Sequence, residues 1–342
     1  MEDLVSIKMK ALSIIDKVVL SQDQILDLLK IYEEKGRDFY YARLLEKDES
    51  AFNQNALQED NYYIGLLFNI DFTDAKLKLW SKRNYAPKIK EDIYYNNIKK
   101  AIKSIRTHGN NFELFANEVI DLAKMLAKNV KSNPILKKDK SEDIFLVNTK
   151  NYTKQEDLIE LVELYNNQIK NNRYETLALL ISFYVDFINV KIYQHDNELI
   201  GLILLFTLIQ KYFSVFKYIS FFKHLKPLYP DFEQGLKEAN YYWDQGYPRI
   251  EMLHKTLIKV IKNSYEDLRL LAHRYEFDRE LNKTNNVQGT ILKGKEIFSK
   301  ADLRKEHPNI SDSTIQRTLD RMKAEGQIRS LGTGRSAKWQ RI

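Results

Sequence analysis

Two strongly apolar segments, separated by a short polar stretch, constrain the fold of this chain most. The first, "LALLISFYVDFINV", ends at Val190, and the second, "ELIGLILLFTLIQKYF", begins at Glu198. The longest uninterrupted apolar run, from Ile200 to Ile209, has ten residues, whereas a helix that spans a bilayer needs about twenty. We therefore expect two helices buried in the core of a cytoplasmic protein, with no membrane segment.

The remainder of the chain is also predicted to be mostly helical. Only 11 Gly and 6 Pro occur in 342 residues, and so few chain breakers favour helices over a many-stranded fold. Apolar residues recur at helical spacing, as where Ile25, Leu28, Leu29 and Tyr32 share one helix face. One exception is 132–150, where a proline, a charged stretch and the β-like run "DIFLV" predict a small β flap.

Two composition features limit the chemistry. The chain has no cysteine, which excludes disulfides, thiol nucleophiles and thiolate metal sites. Its six histidines are scattered, and the sequence contains one His-Asp pair, His195–Asp196. Neighbouring side chains on a helix point in different directions and seldom bind one ion. We therefore expect neither a metal nor another cofactor.

Positive charge is concentrated at the carboxyl end. The last 54 residues, from Gly289, contain twelve basic and six acidic residues, so they carry +6 of the total net charge of +7. A nearly neutral body with a basic tail predicts an anionic partner, most often a nucleic acid.

The pattern of this tail resembles a winged helix-turn-helix domain. Ser311 is a good N-cap for a helix with Ile315 and Met322 on its buried side, and a Gly-Thr-Gly-Arg turn follows in a predicted hairpin. Such a helix fits the major groove of DNA. The residues that we expect to contact DNA are Ser311, Ser313, Thr314, Gln316, Arg317, Arg321, Lys323 and, on the wing, Arg335. The alternative is a winged helix that binds another protein.

The order of elements before the tail resembles a Fic domain. A β-like flap precedes "YTKQEDLIELVELYNNQI", and the two buried helices then flank the loop "KIYQHDN". In the Fic family this loop carries His-Pro-Phe-x-(Asp/Glu)-Gly-Asn-Gly-Arg-x-x-Arg. The resemblance implies that the His acts as the base on a target hydroxyl, that the acid holds Mg²⁺, and that the Gly and Arg positions bind phosphates at a helix N-terminus.

This loop departs from the Fic pattern at nearly every position. Aligned on Asn197, the sequence places Lys191 at the His position, Tyr193 at the Phe position and His195 at the acidic position. A lysine is normally protonated at neutral pH and cannot replace the base.

The phosphate-binding positions have changed as well. Asp196 and Glu198 take the two Gly positions, and Leu199 and Leu202 take the two Arg positions. Negative charge there repels phosphates. We therefore expect a vestigial loop with no catalytic residue, in which Asp196 or Asn197 caps the following helix.

These observations predict a DNA-binding transcriptional regulator whose inactive Fic-like body either forms a homodimer or senses a ligand. The alternatives are a divergent nucleotidyl- or phosphoryltransferase that uses His195 and Asp196, and a protein-interaction module. The predicted division of the chain is an N-terminal helical region over 1–109, a Fic-like helical domain over 110–282, a linker over 283–288 and a winged helix over 289–342.

Overall fold

The structure, a computed structural model, describes residues 9–108, 112–130, 154–307, 310–332 and 337–342, with only the backbone of 108 and 278–283. The fold is mostly α-helical with one small β-sheet, as predicted. The flap predicted over 132–150 lies outside the described residues. The helices are α1 (Lys10–Ser13), α2 (Gln22–Lys35), α3 (Asp38–Leu45), α4 (Glu49–Leu67), α5 (Asp74–Lys82), α6 (Lys90–His108), α7 (Ala116–Ala127), α8 (Lys154–Asn171), α9 (Thr176–Val190), α10 (Asn197–Tyr212), α11 (Phe221–Leu225), α12 (Tyr229–Asp244), α13 (Glu251–Lys293), α14 (Lys300–Glu306) and α15 (Asp312–Ala324).

The chain divides into two compact units, 1–268 and 269–342. The first unit therefore contains the predicted N-terminal helical region together with the Fic-like region as far as residue 268. Within the described residues, no helix is long and apolar enough to cross a membrane.

Helices α9 and α10 form the core of the first unit and are buried almost along their whole lengths, as the two apolar segments predict. The Glu175 carboxylate begins α9 by accepting hydrogen bonds from the amides of Leu177 (2.9 Å) and Ala178 (2.6 Å). The two helices approach closely at Gly201, where a Cβ would lie only 2.8 Å from Cδ1 of Ile188. This close contact fixes the two ends of the loop between them.

A buried ion pair connects α4, α6 and the segment after α10. The guanidinium of Arg106 donates to the carboxylate of Asp60 through Nε (2.7 Å) and Nη2, and through Nη1 to the carbonyl of Phe216 (2.8 Å). Asp60 also accepts from the hydroxyl of Ser220 (2.6 Å) and the amide of Phe222 (3.2 Å). Because both charges are buried, each depends on the other for its compensation.

A second buried carboxylate holds the N-terminal helix. Asp186, in α9, accepts hydrogen bonds from the amides of Ala11 (2.9 Å) and Leu12 (2.8 Å) and from the Trp243 indole (2.7 Å). Burial raises the pKa of Asp186 to about 7, although the three N–H donors oppose that shift.

Not every apolar residue at helical spacing is buried. On α2, Leu28 is 6% exposed, but Ile25 and Leu29 are 47% and 61% exposed. The spacing correctly predicts a helix here, but of the four residues on the predicted face only Leu28 is buried. The buried face of α2 instead consists of Gln24, Leu28 and Ile31. Gln24 hydrogen-bonds to the buried His254 (3.1 Å), so a polar contact helps to orient this face toward the core.

In the second unit, α13 continues through the segment that we predicted to be a linker. The prediction of a linker over 283–288 is wrong, because α13 runs unbroken through it to Lys293. Asn and Thr are weak helix formers, but Val287 and Ile291, one turn apart, are buried in the core of this unit. Tertiary burial outweighs the weak local preference.

The sheet consists of β1 (Ile297–Ser299), β2 (Ile328–Ser330) and β3 (Lys338–Arg341), antiparallel in the order β1-β3-β2. Phe298 lies in β1, opposite Trp339 on β3. Ser311 caps α15, as predicted, and Ser299 caps α14. The sheet and helices enclose one apolar core of Val287, Ile291, Phe298, Leu303, Ile315, Leu319, Met322, Ile328 and Trp339.

The Arg106→Met exchange should lower the free energy of unfolding by about 3–5 kcal/mol, because it leaves the charge of Asp60 buried and unpaired. Urea unfolding followed by circular dichroism measures the change. Lys124→Gln removes a mostly exposed pair with Asp121 and is the matched control, which should change stability by less than about 0.5 kcal/mol. Equal effects of the two exchanges would contradict this role for the buried pair.

Asp186 should make the first unit less stable as the pH rises from about 4 to 7. In this window the folded chain keeps a proton that the unfolded chain has lost, because burial raises the pKa of Asp186 to about 7 from an ordinary value of 3.8. The free energy of unfolding should therefore fall, relative to that of Asp186→Asn, by ~1.4 kcal/mol per pH unit. Denaturant titrations of both proteins at several pH values measure the difference, and parallel curves would disprove it.

Candidate functional site

The polar loop between α9 and α10 runs from Lys191 to Asp196 and is closed by the side chain of Asn197. Lys191 and Asp196 both have left-handed backbones, with φ of 51° and 61°. The Asn197 amide accepts a hydrogen bond from the amide of Tyr193 (2.9 Å) and donates one to the carbonyl of the same residue (2.6 Å). Asn197, the residue that matches the Fic pattern, thus joins the middle of the loop to the start of α10.

The capping of α10 differs from our expectation. Asp196 takes the N-cap position, but its side chain makes no capping hydrogen bond. Its left-handed backbone differs from the extended backbone that usually turns a cap side chain toward the first amides. Its Oδ1 instead accepts from the hydroxyl of Tyr94 (3.0 Å) on α6. Burial and the negative charge of Asp196 raise the pKa of Tyr94.

A cavity of about 670 Å³ opens beside this loop. It brings together five of the six residues that we assigned to the vestigial loop, and its lining consists of Phe68, Ile188, Asn189, Lys191, Gln194, His195, Asp196, Asn197, Glu198, Leu199, Asn240, Tyr241 and Asp244. The sixth, Tyr193, is 1% exposed and packs on Phe187, so it does not fill the cavity.

The charges of this cavity are mostly negative. Besides Tyr241, its ionisable lining residues are Lys191, His195 and the three carboxylates of Asp196, Glu198 and Asp244. Three acids facing one lysine oppose the entry of a phosphate. Leu202, at the second Arg position, is buried in the core and is not among the lining residues.

Sequence reasoning missed the far side of the cavity. Phe68, at the end of α4, and Asn240, Tyr241 and Asp244, on α12, are distant in sequence from the loop. No spacing or composition signal connects them to it, and only the packing of α4 and α12 reveals them. No group of three or more His, Asp or Glu side chains suited to a metal ion occurs within the described residues.

The second unit displays the exposed side of α15. Arg317, Lys323 and Ser313 are exposed on it, and Gln316 is partly exposed. The amide of Gln316 donates to Asp320 (2.9 Å), and Arg321 donates to Gln288 (2.7 Å). The predicted DNA-contacting residues of this helix are therefore exposed or partly exposed, although Gln316 and Arg321 already have partners.

Hydroxyl groups gather where α15 begins. Ser311 accepts a hydrogen bond from the amide of Thr314 (3.3 Å), and its hydroxyl lies 3.0 Å from that of Ser313 and 2.9 Å from that of Thr314. Ser311 is thus engaged as the cap that its sequence position predicts. Arg335, the predicted wing contact, lies outside the described residues.

Comparison with known proteins places the fold. No model of a protein family matches the sequence, and no curated protein matches it. Among solved structures, a Fic family protein from Desulfovibrio desulfuricans G20 is similar with a TM-score of 0.53 at 9% identity, over 95% of this chain and 97% of that one. A Fic domain containing signaling protein from Bacteroides thetaiotaomicron is similar with a TM-score of 0.53 at 14% identity, over 72% of this chain and 98% of that one.

These similarities establish a Fic-like fold for the chain. At such low sequence identity they concern the fold alone. The chemistry of this chain therefore has to be argued from its own residues.

Replacing Asn197 by Ala should open the loop, because both hydrogen bonds to Tyr193 are lost. We expect a loss of about 1–3 kcal/mol in the free energy of unfolding and faster hydrogen exchange at the amide of Tyr193. Asn240→Ala, in the same cavity but without a hydrogen bond to the loop, is the control and should leave that amide protected. Unchanged exchange in Asn197→Ala would show that the loop does not depend on this side chain.

Proposed function

We propose that the chain is a DNA-binding regulator whose second unit binds duplex DNA and whose Fic-like body performs no phosphoryl transfer. The order of elements in the second unit supports the first part. In this unit the end of α13 is followed by β1, α14, α15 and the β2–β3 hairpin. This order resembles that of a winged helix, in which α15 would be the recognition helix.

The observation that carries the proposal is the free positive charge on α15. Arg317 and Lys323 are exposed, and neither has a hydrogen bond or ion pair with any residue in the described part of the chain. Unpaired, exposed cations on this helix are suited to phosphate oxygens, and the polar side chains of Ser313 and Gln316 on the same helix are suited to base edges. The excess of +6 over the last 54 residues adds long-range attraction to DNA.

The body lacks what phosphoryl transfer requires. The three carboxylates that line the loop cavity would repel a triphosphate, and the arginines that would bind its phosphates are replaced by Leu199 and Leu202. His195 is exposed but stands at the acidic position of the Fic pattern, not at that of the base.

DNA binding is tested with the full chain and a labelled random-sequence duplex in fluorescence anisotropy at several salt concentrations. The Arg317→Gln/Lys323→Gln variant should bind more weakly. The slope of log K against log salt should decrease by roughly 2, because two phosphate contacts are lost at about 0.9 each.

The matched control is Lys295→Gln/Lys305→Gln, which removes the same charge from exposed positions of the same unit outside α15. It should change the affinity less and leave the slope nearly unchanged. Equal losses in the two variants would show that α15 does not make the contacts. A chain that binds no duplex at low salt would refute the proposal and favour a protein-binding role for the winged helix.

Absence of transfer is tested by incubating the full chain with nucleoside triphosphate labelled on the α- or γ-phosphate, together with Mg²⁺. We expect no label on the chain or on added protein. Label that appears with the wild type and is lost in His195→Ala would overturn this part of the proposal.

A further inference from the structure

A second cavity, separate from the loop, is lined by positive charge. It has a volume of about 460 Å³ and lies between α4, α5, α6 and the segment that follows α5. Its lining residues are Gln54, Leu57, Asn61, Ser81, Lys82, Asn84, Tyr85, Asn96, Lys99, Lys100 and Lys103. Four lysines and no acid thus face one space.

Lys99 is buried at the base of this cavity, with only 7% of its surface exposed. Its ammonium donates to the carbonyls of Trp80 (2.6 Å) and Arg83 (2.8 Å) and to the side-chain oxygen of Asn84 (3.1 Å). These three acceptors fix its position. They do not neutralise its charge, because among the described residues no carboxylate forms an ion pair with it.

Other buried charges of the first unit are compensated differently. Arg106 is paired with Asp60, and the buried Asp92 binds the ammonium of Lys76 at 2.7 Å. A buried cation without a counter-ion is costly. An anion in the cavity would supply that counter-charge.

Asn61 adds a hydrogen-bonding requirement. It is buried and lines the same cavity, and its Oδ1 has no hydrogen-bond donor, whereas its Nδ2 donates to the carbonyl of Ser81 (3.4 Å). A buried acceptor without a donor is unfavourable. A ligand that carries a hydroxyl or amino group beside its anionic group would donate a hydrogen bond to Asn61 and supply the missing counter-charge of Lys99.

We infer that this lysine cavity, lined by Lys82, Lys99, Lys100 and Lys103, binds a small phosphate ester that also carries a hydroxyl or amino donor. The ester phosphate is held near Lys99, and the exposed ammonium groups of Lys100 and Lys103 attract it from the rim. This site is distinct from the acidic cavity beside the loop and from α15.

Binding should be accompanied by uptake of a proton. Burial lowers the pKa of Lys99 to about 8, and an adjacent anion should raise it. The other titratable residues of the lining are Lys82, Lys100, Lys103 and Tyr85, and Tyr95 lies with its ring centroid 5.9 Å from the Lys99 ammonium. The carboxylate of Asp92, on the same helix, is occupied by Lys76.

The test is isothermal titration calorimetry of the full chain with ribose 5-phosphate, inorganic phosphate and uncharged ribose. Ribose 5-phosphate should bind, phosphate more weakly and ribose not at all. In Lys100→Gln/Lys103→Gln the affinity should fall at least about tenfold. The control Lys90→Gln/Lys170→Gln, which removes two exposed lysines outside the cavity, should bind as the wild type does.

Titrations at pH 8 in buffers of different ionisation enthalpy should show proton uptake in the wild type and not in Lys99→Met. If Lys99→Met does not fold, the Lys100→Gln/Lys103→Gln affinity still decides. Three outcomes overturn the inference: no binding of ribose 5-phosphate at millimolar concentration, equal binding of ribose, or an affinity loss found in Arg317→Gln/Lys323→Gln and not in the lysine variant.

Discussion

The first unit depends on the buried pair of Asp60 and Arg106. Together they bring α4 and α6 into contact with the segment after α10, and the carbonyl of Phe216, the hydroxyl of Ser220 and the amide of Phe222 supply further hydrogen-bond partners. Such a pair adds little net stability over apolar packing, but it strongly penalises any arrangement that separates its members. The same helices, α4 and α6, also line the lysine cavity, so the pair positions the walls of that site.

The sequence predicted the helices of this fold better than their surroundings. The apolar runs that end at Val190 and begin at Glu198 could hardly be anything but buried helices, and Ser311 marked the start of its helix correctly. The sequence did not reveal which face of α2 is buried or that α13 continues through 283–288. Both depend on partners that are distant in sequence, a polar contact in one case and the burial of Val287 and Ile291 in the other.

The two cavities show how differently sites can be read from a sequence. The loop residues are contiguous, so aligning them with a known pattern brought most of one cavity wall to attention. The lysine cavity takes its residues from three helices and from the segment that follows α5. In the sequence its lysines resemble ordinary solvent-exposed charges. Lys99 differs from the other lysines of the cavity in being buried and bonded to backbone carbonyls, and the structure is needed to see this.

The hydrogen bonds of Asn197 bear on how short motifs are interpreted. An amide offers a donor and an acceptor at once, and here both are consumed by the backbone of Tyr193. Aspartate has no donor to offer that carbonyl, and alanine offers neither group, so this turn selects asparagine for architectural reasons alone. Finding the motif's asparagine in a chain of this fold is therefore no indication of enzymatic competence, since the turn itself requires that side chain.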